Sequence, residues 1–409
     1  MKTKFVIPLA MIVLILPLCT AQLEVPNWRI EDYWEYSGSF SSEMENISIQ
    51  AQLTNLRLEV ASTEISRVNG ELLGTFRVPM DGVIIGTITG EMLNPLTNNT
   101  LEVDVGFTFS LTGVLYFTTM NLSLVKYDIT VNLEINIPPA LLEFLETNLL
   151  EVLDLFIPEQ IIQRATFSPP LSFMDFPVKA NENWSFSSNI TTSSEIIGEN
   201  RREEIPPQTS EIYFEAENFK IINNDIYHMT LSYIPFLSDI ADLMEIDLGN
   251  EWQWSASKGM IEKIHGLQDK NEVLVIGLTD TYFYNPNREK NSPPVANFTY
   301  LPPVPIQTQG INFDDSSTDP DGYSDIIAWY WDFGDGKNGT GKGVTHQYES
   351  SGDFNVTLFI IDKYGGVDTI QKTITVSDGD GNDSPGFGII LVFLAVSFLI
   401  MRKSARKSR

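Results

Sequence analysis

The sequence predicts a mainly β protein, and two observations lead to that class. Apolar and polar residues alternate over long stretches such as 101–112 and 121–137, the pattern of half-buried strands. Between residues 293 and 377, short strand-like segments are separated by Gly- and Asp-rich turns about every ten residues. The single cysteine, Cys19, lies in the N-terminal apolar segment, so the mature chain must be stabilised by packed cores rather than disulfides.

The N-terminus has the layout of an export signal. Two lysines precede an almost unbroken apolar run over residues 5–18, and small residues at Cys19 and Ala21 form an A-x-A-like site. This pattern predicts a signal peptide that is cleaved between Ala21 and Gln22. An uncleaved N-terminal anchor is the alternative. A lipoprotein attached through Cys19 is disfavoured, because the residue before it is large.

The charge of the chain excludes one class of partner. Seven of the 26 basic residues lie in the two termini, which leaves 19 against 54 acidic residues and a net charge of −35. So acidic a surface repels nucleic acid and anionic lipid head groups. We therefore predict no nucleic-acid partner.

The region from residue 22 to residue 290 is rich in strand patterns and carries a weak internal repeat. The segment around Trp34 resembles the segment around Trp184, which suggests two tandem antiparallel-sheet units, 22–168 and 169–290. An apolar face predicts a helix over residues 139–157 that covers a sheet, and a weaker helix pattern spans 236–246.

A set of short motifs stands in the segment 293–377. They are DPDG (319–322), WDFGDG (331–336), His346 and Tyr348 of an HxY pattern, and Gly352, Asp362 and Gly365 near the final hairpin. This segment closely resembles the PKD domain family, whose members are Ig-like β-sandwiches common in extracellular proteins. The resemblance implies a fold and a surface setting rather than a reaction. Trp331 is expected in the core, and Trp329 in the core or at its rim.

The C-terminus has three parts in a fixed order. An acidic linker at 378–384 precedes Pro385, Gly386 and Phe387, and an apolar stretch and a basic tail complete residues 385–409. This order resembles the PGF-CTERM sorting signal of archaeal surface proteins, which implies an archaeosortase-type processing enzyme and a lipid anchor. The alternative is an ordinary C-terminal transmembrane helix. Both place the chain on the outer face of a membrane, with the basic tail inside.

Two sets of candidate sites follow from residue type. The candidate Ca²⁺ ligands are the aspartates of one acidic run, namely Asp314, Asp315, Asp319, Asp321 and Asp325. The alternative is that they form Asx turns. The candidate glycosylation sites are the sequons at Asn46, Asn98, Asn121, Asn183, Asn189, Asn297, Asn338, Asn355 and Asn382.

Three functions are compatible with these patterns. The first is a non-catalytic protein anchored at the cell surface, with the PKD domain as a stalk or adhesion module that contacts envelope proteins or glycans. The second is an extracytoplasmic protein that binds a lipid or another apolar small molecule in its N-terminal region. The third is a secreted hydrolase that uses carboxylates. No recognised catalytic motif occurs in the sequence, so no catalytic residue is predicted.

Overall fold

The computed structural model describes residues 22–44, 47–93, 100–139, 158–172, 174, 176–179, 182–198, 201–221, 225–231, 249–268 and 271–379. They divide into two compact units. The first comprises residues up to 294 together with 319–327 and 361–367, and the second comprises 295–318, 328–360 and the residues from 368 onward. The described chain is mainly β, as the alternating patterns predict.

The N-terminal region contributes fifteen strands to the described structure. These are β1 (Gln22–Leu23), β2 (Tyr33–Met44), β3 (Ile47–Glu59), β4 (Ser62–Val68), β5 (Glu71–Leu93), β6 (Thr100–Thr118), β7 (Leu124–Asn136), β8 (Gln160–Leu171), β9 (Val178–Lys179), β10 (Trp184–Gly198), β11 (Arg201–Ile221), β12 (Ile226–Leu231), β13 (Gly249–Ser255), β14 (Met260–Gln268) and β15 (Asn271–Phe283).

Twelve of these strands form one antiparallel sheet that closes on itself. Hydrogen-bonded neighbours follow the order β3-β2-β15-β14-β13-β12-β11-β10-β8-β7-β6-β5, and β5 pairs with β3 to complete the ring. β4 pairs with the first part of β5, while β1 and β9 form a separate two-stranded sheet. We call the twelve-stranded ring the closed sheet.

Two glycines of the closed sheet lie too close to a neighbouring strand to carry a side chain. A Cβ at Gly38 in β2 would lie 2.3 Å from the carbonyl oxygen of Val275, and a Cβ at Gly113 in β6 would lie 2.5 Å from that of Asp128. Both contacts are with the backbone of the neighbouring strand, which no side chain could displace. Glycine therefore permits the close approach of strands that closure of a sheet requires.

One end of the closed sheet is filled by a core rich in tryptophan, which we call the packed end. The rings of Trp28 and Trp34 lie 5.1 Å apart, and Phe117 meets Trp28 edge to face at 5.5 Å. Two segments outside the ring's strands, 23–28 and 174–178, also contribute buried side chains to this core. Because these segments precede β2 and β10, the packed end is where those strands begin.

Alternation along the strands explains which side chains face inward. On β7, Tyr127 and Ile129 belong to the core, so Val131 and Leu133, at alternate positions, face the interior as well. The intervening Asp128 faces outward and pairs with Arg164 of β8 at 3.1 Å. The inward face of β7 thus stays apolar from the packed end to the opposite half of the ring.

The C-terminal part of the described chain forms seven further strands. They are β16 (Phe298–Leu301), β17 (Gly310–Asp315), β18 (Ile326–Asp332), β19 (Asn338–Thr340), β20 (Gly343–Gln347), β21 (Gly352–Asp362) and β22 (Val367–Val376). One sheet has the order β16-β17-β20 and the other the order β19-β18-β21-β22. Two antiparallel sheets of short strands are the sandwich that the motif spacing predicts.

The boundary predicted at residue 168 does not separate two sheets. Pro169 and Pro170 lie inside β8, and strands from both predicted units, 22–168 and 169–290, belong to the one closed sheet. The prolines are tolerated because the pairing of β8 with β10 stops at Ser168. Strands of both predicted repeats therefore belong to a single closed sheet, and the internal repeat itself stays a prediction.

Several predictions fall on residues outside the described ranges. These are the signal peptide 1–21, the helix at 139–157 beyond its first residue, the helix pattern at 236–246, and the C-terminal segment 385–409. Within the described ranges, no helix has the length and apolarity that crossing a membrane requires.

Candidate functional site

The predicted acidic run does not come together as one metal site. Asp314 and Asp315 lie on β17, whereas Asp325 forms an ion pair of 2.8 Å with Lys363. Asp319 Oδ1 accepts a hydrogen bond of 2.8 Å from the backbone N–H of Asp321, which is an Asx turn. Across the described residues, no group of three or more His, Cys, Asp or Glu side chains is arranged to hold a metal ion.

A buried carboxylate outside that run lies beside Asp319. Asp362 ends β21 with no exposed surface, and its carboxylate accepts hydrogen bonds from Asn291 Nδ2 at 2.7 Å and from two backbone N–H groups. Burial raises the pKa of Asp362, and the negative charge of Asp319 adds to the rise, while the donated hydrogen bonds act against it. Sequence reasoning placed Asp362 in the final hairpin but not among the candidate metal ligands.

Two oxygens around Asp362 have unused bonding capacity. Asp319 Oδ2 and Asn291 Oδ1 are buried, and neither has a hydrogen-bond donor in the described structure. Asp321 Oδ2 accepts the backbone N–H of Ser292 at 2.8 Å, which holds the 291–292 segment against the turn. Carboxylate and amide oxygens of this kind are ligands that Ca²⁺ prefers. The oxygens of Asp319, Asn291 and Asp362 are therefore candidate ligands for a hard cation.

The histidine of the HxY pattern belongs to a packed aromatic cluster. The His346 ring stacks on Phe333 with centroids 3.9 Å apart, and its Nε2 lies 2.9 Å from Asp335 Oδ2. Tyr348 donates a hydrogen bond of 2.8 Å to the Phe333 carbonyl. This arrangement stabilises the WDFGDG turn.

The tryptophans of β18 are core residues. Trp331 is fully buried and donates from Nε1 to the Gly341 carbonyl at 2.8 Å. Trp329 is 8% exposed, and the Lys342 ammonium lies 4.9 Å from its ring centroid. The core position expected for Trp331 matches the structure, and Trp329 lies near the rim.

The sequons divide between described and undescribed residues. Asn46, Asn98 and Asn382 lie outside the described ranges, whereas the other six asparagines are exposed, namely Asn121, Asn183, Asn189, Asn297, Asn338 and Asn355. Exposure is what a glycan requires, so these six remain candidate glycosylation sites.

The comparisons with known proteins concern the C-terminal part of the described chain. Residues 291–377 match the family of the PKD domain. A microbial collagenase of Vibrio alginolyticus is 41% identical over 70 residues, which cover 17% of this chain and 8% of that protein. The collagenase ColA of Clostridium perfringens is 42% identical over 72 residues, 17% of this chain and 6% of that protein.

Solved structures resemble the same region. The PKD1 domain from the Vibrio cholerae metalloprotease PrtV is 34% identical and covers 21% of this chain and 99% of that domain, with a TM-score of 0.19. The PKD1 domain of Vibrio anguillarum Epp is 27% identical and covers 22% of this chain and 98% of that domain, also with a TM-score of 0.19. The chain spans less than a tenth of the collagenases it matches. The part of this chain that a known family accounts for is residues 291–377, which form a PKD domain.

Proposed function

We propose that this protein is exported and held at the outer face of a membrane, where it acts without catalysis. The observation that carries the proposal is the order of the chain, because a PKD domain at 291–377 directly precedes an acidic linker, Pro385-Gly386-Phe387, an apolar stretch and a basic tail. PKD domains also occur in the collagenases and metalloproteases that resemble this region. The PKD domain would act as a stalk or adhesion module for contacts with envelope proteins or glycans.

Processing at both termini is part of this proposal. We expect cleavage after Ala21, and removal of the tail behind Phe387 by an archaeosortase-type enzyme with transfer to a lipid. Intact-mass analysis of the native protein tests both steps at once, and the variant Phe387→Ala serves as the control that should keep its tail. A native mass that includes residues 385–409 would contradict the sorting step and leave a single transmembrane helix as the anchor.

Three buried carboxylates of the described structure are paired or enclosed, which supports a non-catalytic function over a hydrolase. Asp32 pairs with Arg288 and Asp325 with Lys363, while Asp362 is held by three hydrogen bonds and has no exposed surface. A carboxylate that acts as acid or base has to reach its substrate. Assays of the purified protein on polysaccharides and proteins should therefore detect no hydrolysis.

A second candidate function is binding of an apolar small molecule by the closed sheet. The specific observation in its favour is the inward face, where apolar side chains such as Ile84 and Leu133 remain partly exposed although they point into the ring. A saturable response of a fluorescent hydrocarbon probe to the purified protein would support this function.

A further inference from the structure

The half of the closed sheet opposite the packed end has an apolar inward face of its own. Directly paired residues face the same side of a sheet, and the pairs Ile49–Ile88 and Leu53–Ile84 join β3 to β5 there. They are inward because Met80, at an alternate position on β5, belongs to the core. We call this surface the far half.

The far half is not part of the packed core. Phe107 and Leu111 of β6 are buried there, yet neither belongs to the described core cluster. Leu53 and Ile84 are partly exposed although they face inward. Eight strands make a ring that side chains just fill, and the diameter grows with strand number, so a ring of twelve strands is wider than one that inward side chains just fill.

The two ends of the ring differ in the side chains that line their interior. The packed end contains extra segments, 23–28 and 174–178, and the large rings of Trp28 and Trp34. The inward positions of β3 and β5 in the far half include Ala51 and its partner Gly86, and the Phe107 ring of β6 lies directly over Gly86. The part-exposed inward side chains Leu53 and Ile84 are the surface there that suits an elongated aliphatic ligand.

One polar group faces inward beside these aliphatic side chains. Ser42 lies on the face of β2 that carries the core residues Trp34 and Tyr36, and it pairs with Ile49. Its side chain is 2% exposed, and its Oγ has no hydrogen-bond partner in the described structure. A buried hydroxyl without a partner is costly, and an oxygen acceptor on a ligand would remove that cost.

We propose that the far half binds one unbranched hydrocarbon chain that ends in an oxygen acceptor, such as a long-chain carboxylate. The Ser42 hydroxyl donates a hydrogen bond to the polar end, near the end of β2, and the hydrocarbon chain runs along Leu53 and Ile84 towards the packed end. This inference rests on the second proposed function and deepens it by naming the ligand class and its orientation.

Two probes and three variants of the full chain test the proposal. The probes are cis-parinaric acid, which carries a carboxylate, and diphenylhexatriene, which is a pure hydrocarbon. Ile84→Trp fills the interior, whereas Ile85→Trp places the same side chain on the outer face of β5, where Ile85 is 53% exposed. Ser42→Ala removes the hydroxyl and leaves the shape of the site nearly unchanged. Circular dichroism confirms that each variant is folded.

The proposal expects saturable binding of both probes at one per chain. Ile84→Trp should abolish both, Ile85→Trp should bind as the wild type does, and Ser42→Ala should weaken only cis-parinaric acid, about tenfold for one lost hydrogen bond to a charged group. Failure of both probes would overturn the second proposed function. Binding of both probes with no effect of Ser42→Ala would overturn the orientation alone. Equal losses in Ile84→Trp and Ile85→Trp would place the ligand on the outer surface and refute the site.

Discussion

Asp32 and Arg288 are 256 residues apart in the chain and form a double hydrogen-bonded ion pair in the first unit. Arg288 donates from one terminal nitrogen to Asp32 Oδ2 at 2.6 Å and from the other to Oδ1. The Arg29 backbone N–H adds a third bond to Oδ2 at 2.8 Å, and the Asp32 side chain has no exposed surface. The pair joins the residue before β2 to the segment that follows β15, so it connects the first and last strands of the closed sheet.

Removal of the Arg288 guanidinium should leave the buried Asp32 carboxylate without its partner. We expect Arg288→Met to lower the free energy of unfolding by about 3–5 kcal/mol, as is typical when one member of a buried ion pair is lost. The double variant Asp32→Asn/Arg288→Met should lose less than the single one, because the charge is gone. Urea unfolding followed by tryptophan fluorescence measures both.

The pH dependence of the Arg288→Met variant provides an internal check. Burial already raises the pKa of Asp32 against the opposing effect of Arg288, so loss of Arg288 raises it further. The folded variant then takes up a proton at a pH where the unfolded chain does not. Its stability should therefore rise as the pH falls below neutral. Arg57→Met, which breaks the part-exposed pairs with Glu35 and Glu59, is the matched control and should cost about 1 kcal/mol or less.

Two glycines of the WDFGDG turn should respond differently to the same substitution. Both have positive φ, 76° at Gly334 and 84° at Gly336, so alanine costs about 1–2 kcal/mol of backbone strain at either. A Cβ at Gly334 would also lie 2.8 Å from the Asn355 carbonyl oxygen, whereas nothing lies within 4 Å of a Cβ at Gly336.

We therefore expect Gly334→Ala to be the more destabilising of the two. Hydrogen exchange of β21, read by mass spectrometry, isolates the PKD domain from the rest of the chain. Faster exchange in Gly334→Ala than in Gly336→Ala is the expected result. Equal exchange in both variants would mean that contact with Asn355 is relieved by a small shift of the turn.

Alkaline pH should destabilise the first unit through Tyr36. This side chain is buried and donates from its hydroxyl to the Ile261 carbonyl at 2.8 Å. Burial raises the pKa of Tyr36 well above its ordinary value, and the charge of Glu262 adds to the rise. Below a pH of about 10 both states are protonated. Above it the unfolded chain alone releases the proton, so stability falls by up to about 1.4 kcal/mol per pH unit.

The variant Tyr36→Phe separates the two contributions of this hydroxyl. At neutral pH it should be less stable than the wild type by about 1 kcal/mol, since one hydrogen bond is lost. Between pH values of about 9 and 11 it should lose less additional stability than the wild type does. Urea unfolding across this range measures the slope, and identical slopes would show that Tyr36 does not titrate differently in the two states.

Local signals in the sequence predict the PKD domain well because its turns are determined by neighbouring residues. Gly334 and Gly336 take the positive φ that the turn requires, and Trp331 occupies the core as expected. The closed sheet depends instead on pairings between distant strands, such as Phe283 with Tyr33 and Ile88 with Ile49. Alternation predicts strands without indicating which strands pair.

The same difference explains the candidate cation site. The acidic run predicts Asp319 and Asp321 as candidate ligands, because both lie in one turn of the sequence. Asn291 and Asp362 are 71 residues apart, and their hydrogen bond is a consequence of the tertiary fold. A signal for Asp362 was present in the sequence, since the carboxylate sits where the final hairpin begins, but hairpin turns and metal sites share that residue type.

Calcium should stabilise the protein through Asp319, Asp362 and Asn291. A cation near the unpartnered Asp319 Oδ2 and Asn291 Oδ1 would compensate two buried oxygens and the charge on Asp362. Binding to the folded state alone raises stability by about 2.7 kcal/mol when the ion is present at a hundred times its dissociation constant.

We expect Ca²⁺ to raise the melting midpoint of the chelator-treated protein, and Asp319→Ala to abolish that increase. Asp314→Ala is the control, because the exposed Asp314 lies on β17 and should leave the response intact. A midpoint that Ca²⁺ does not change would mean that the two oxygens are satisfied by water.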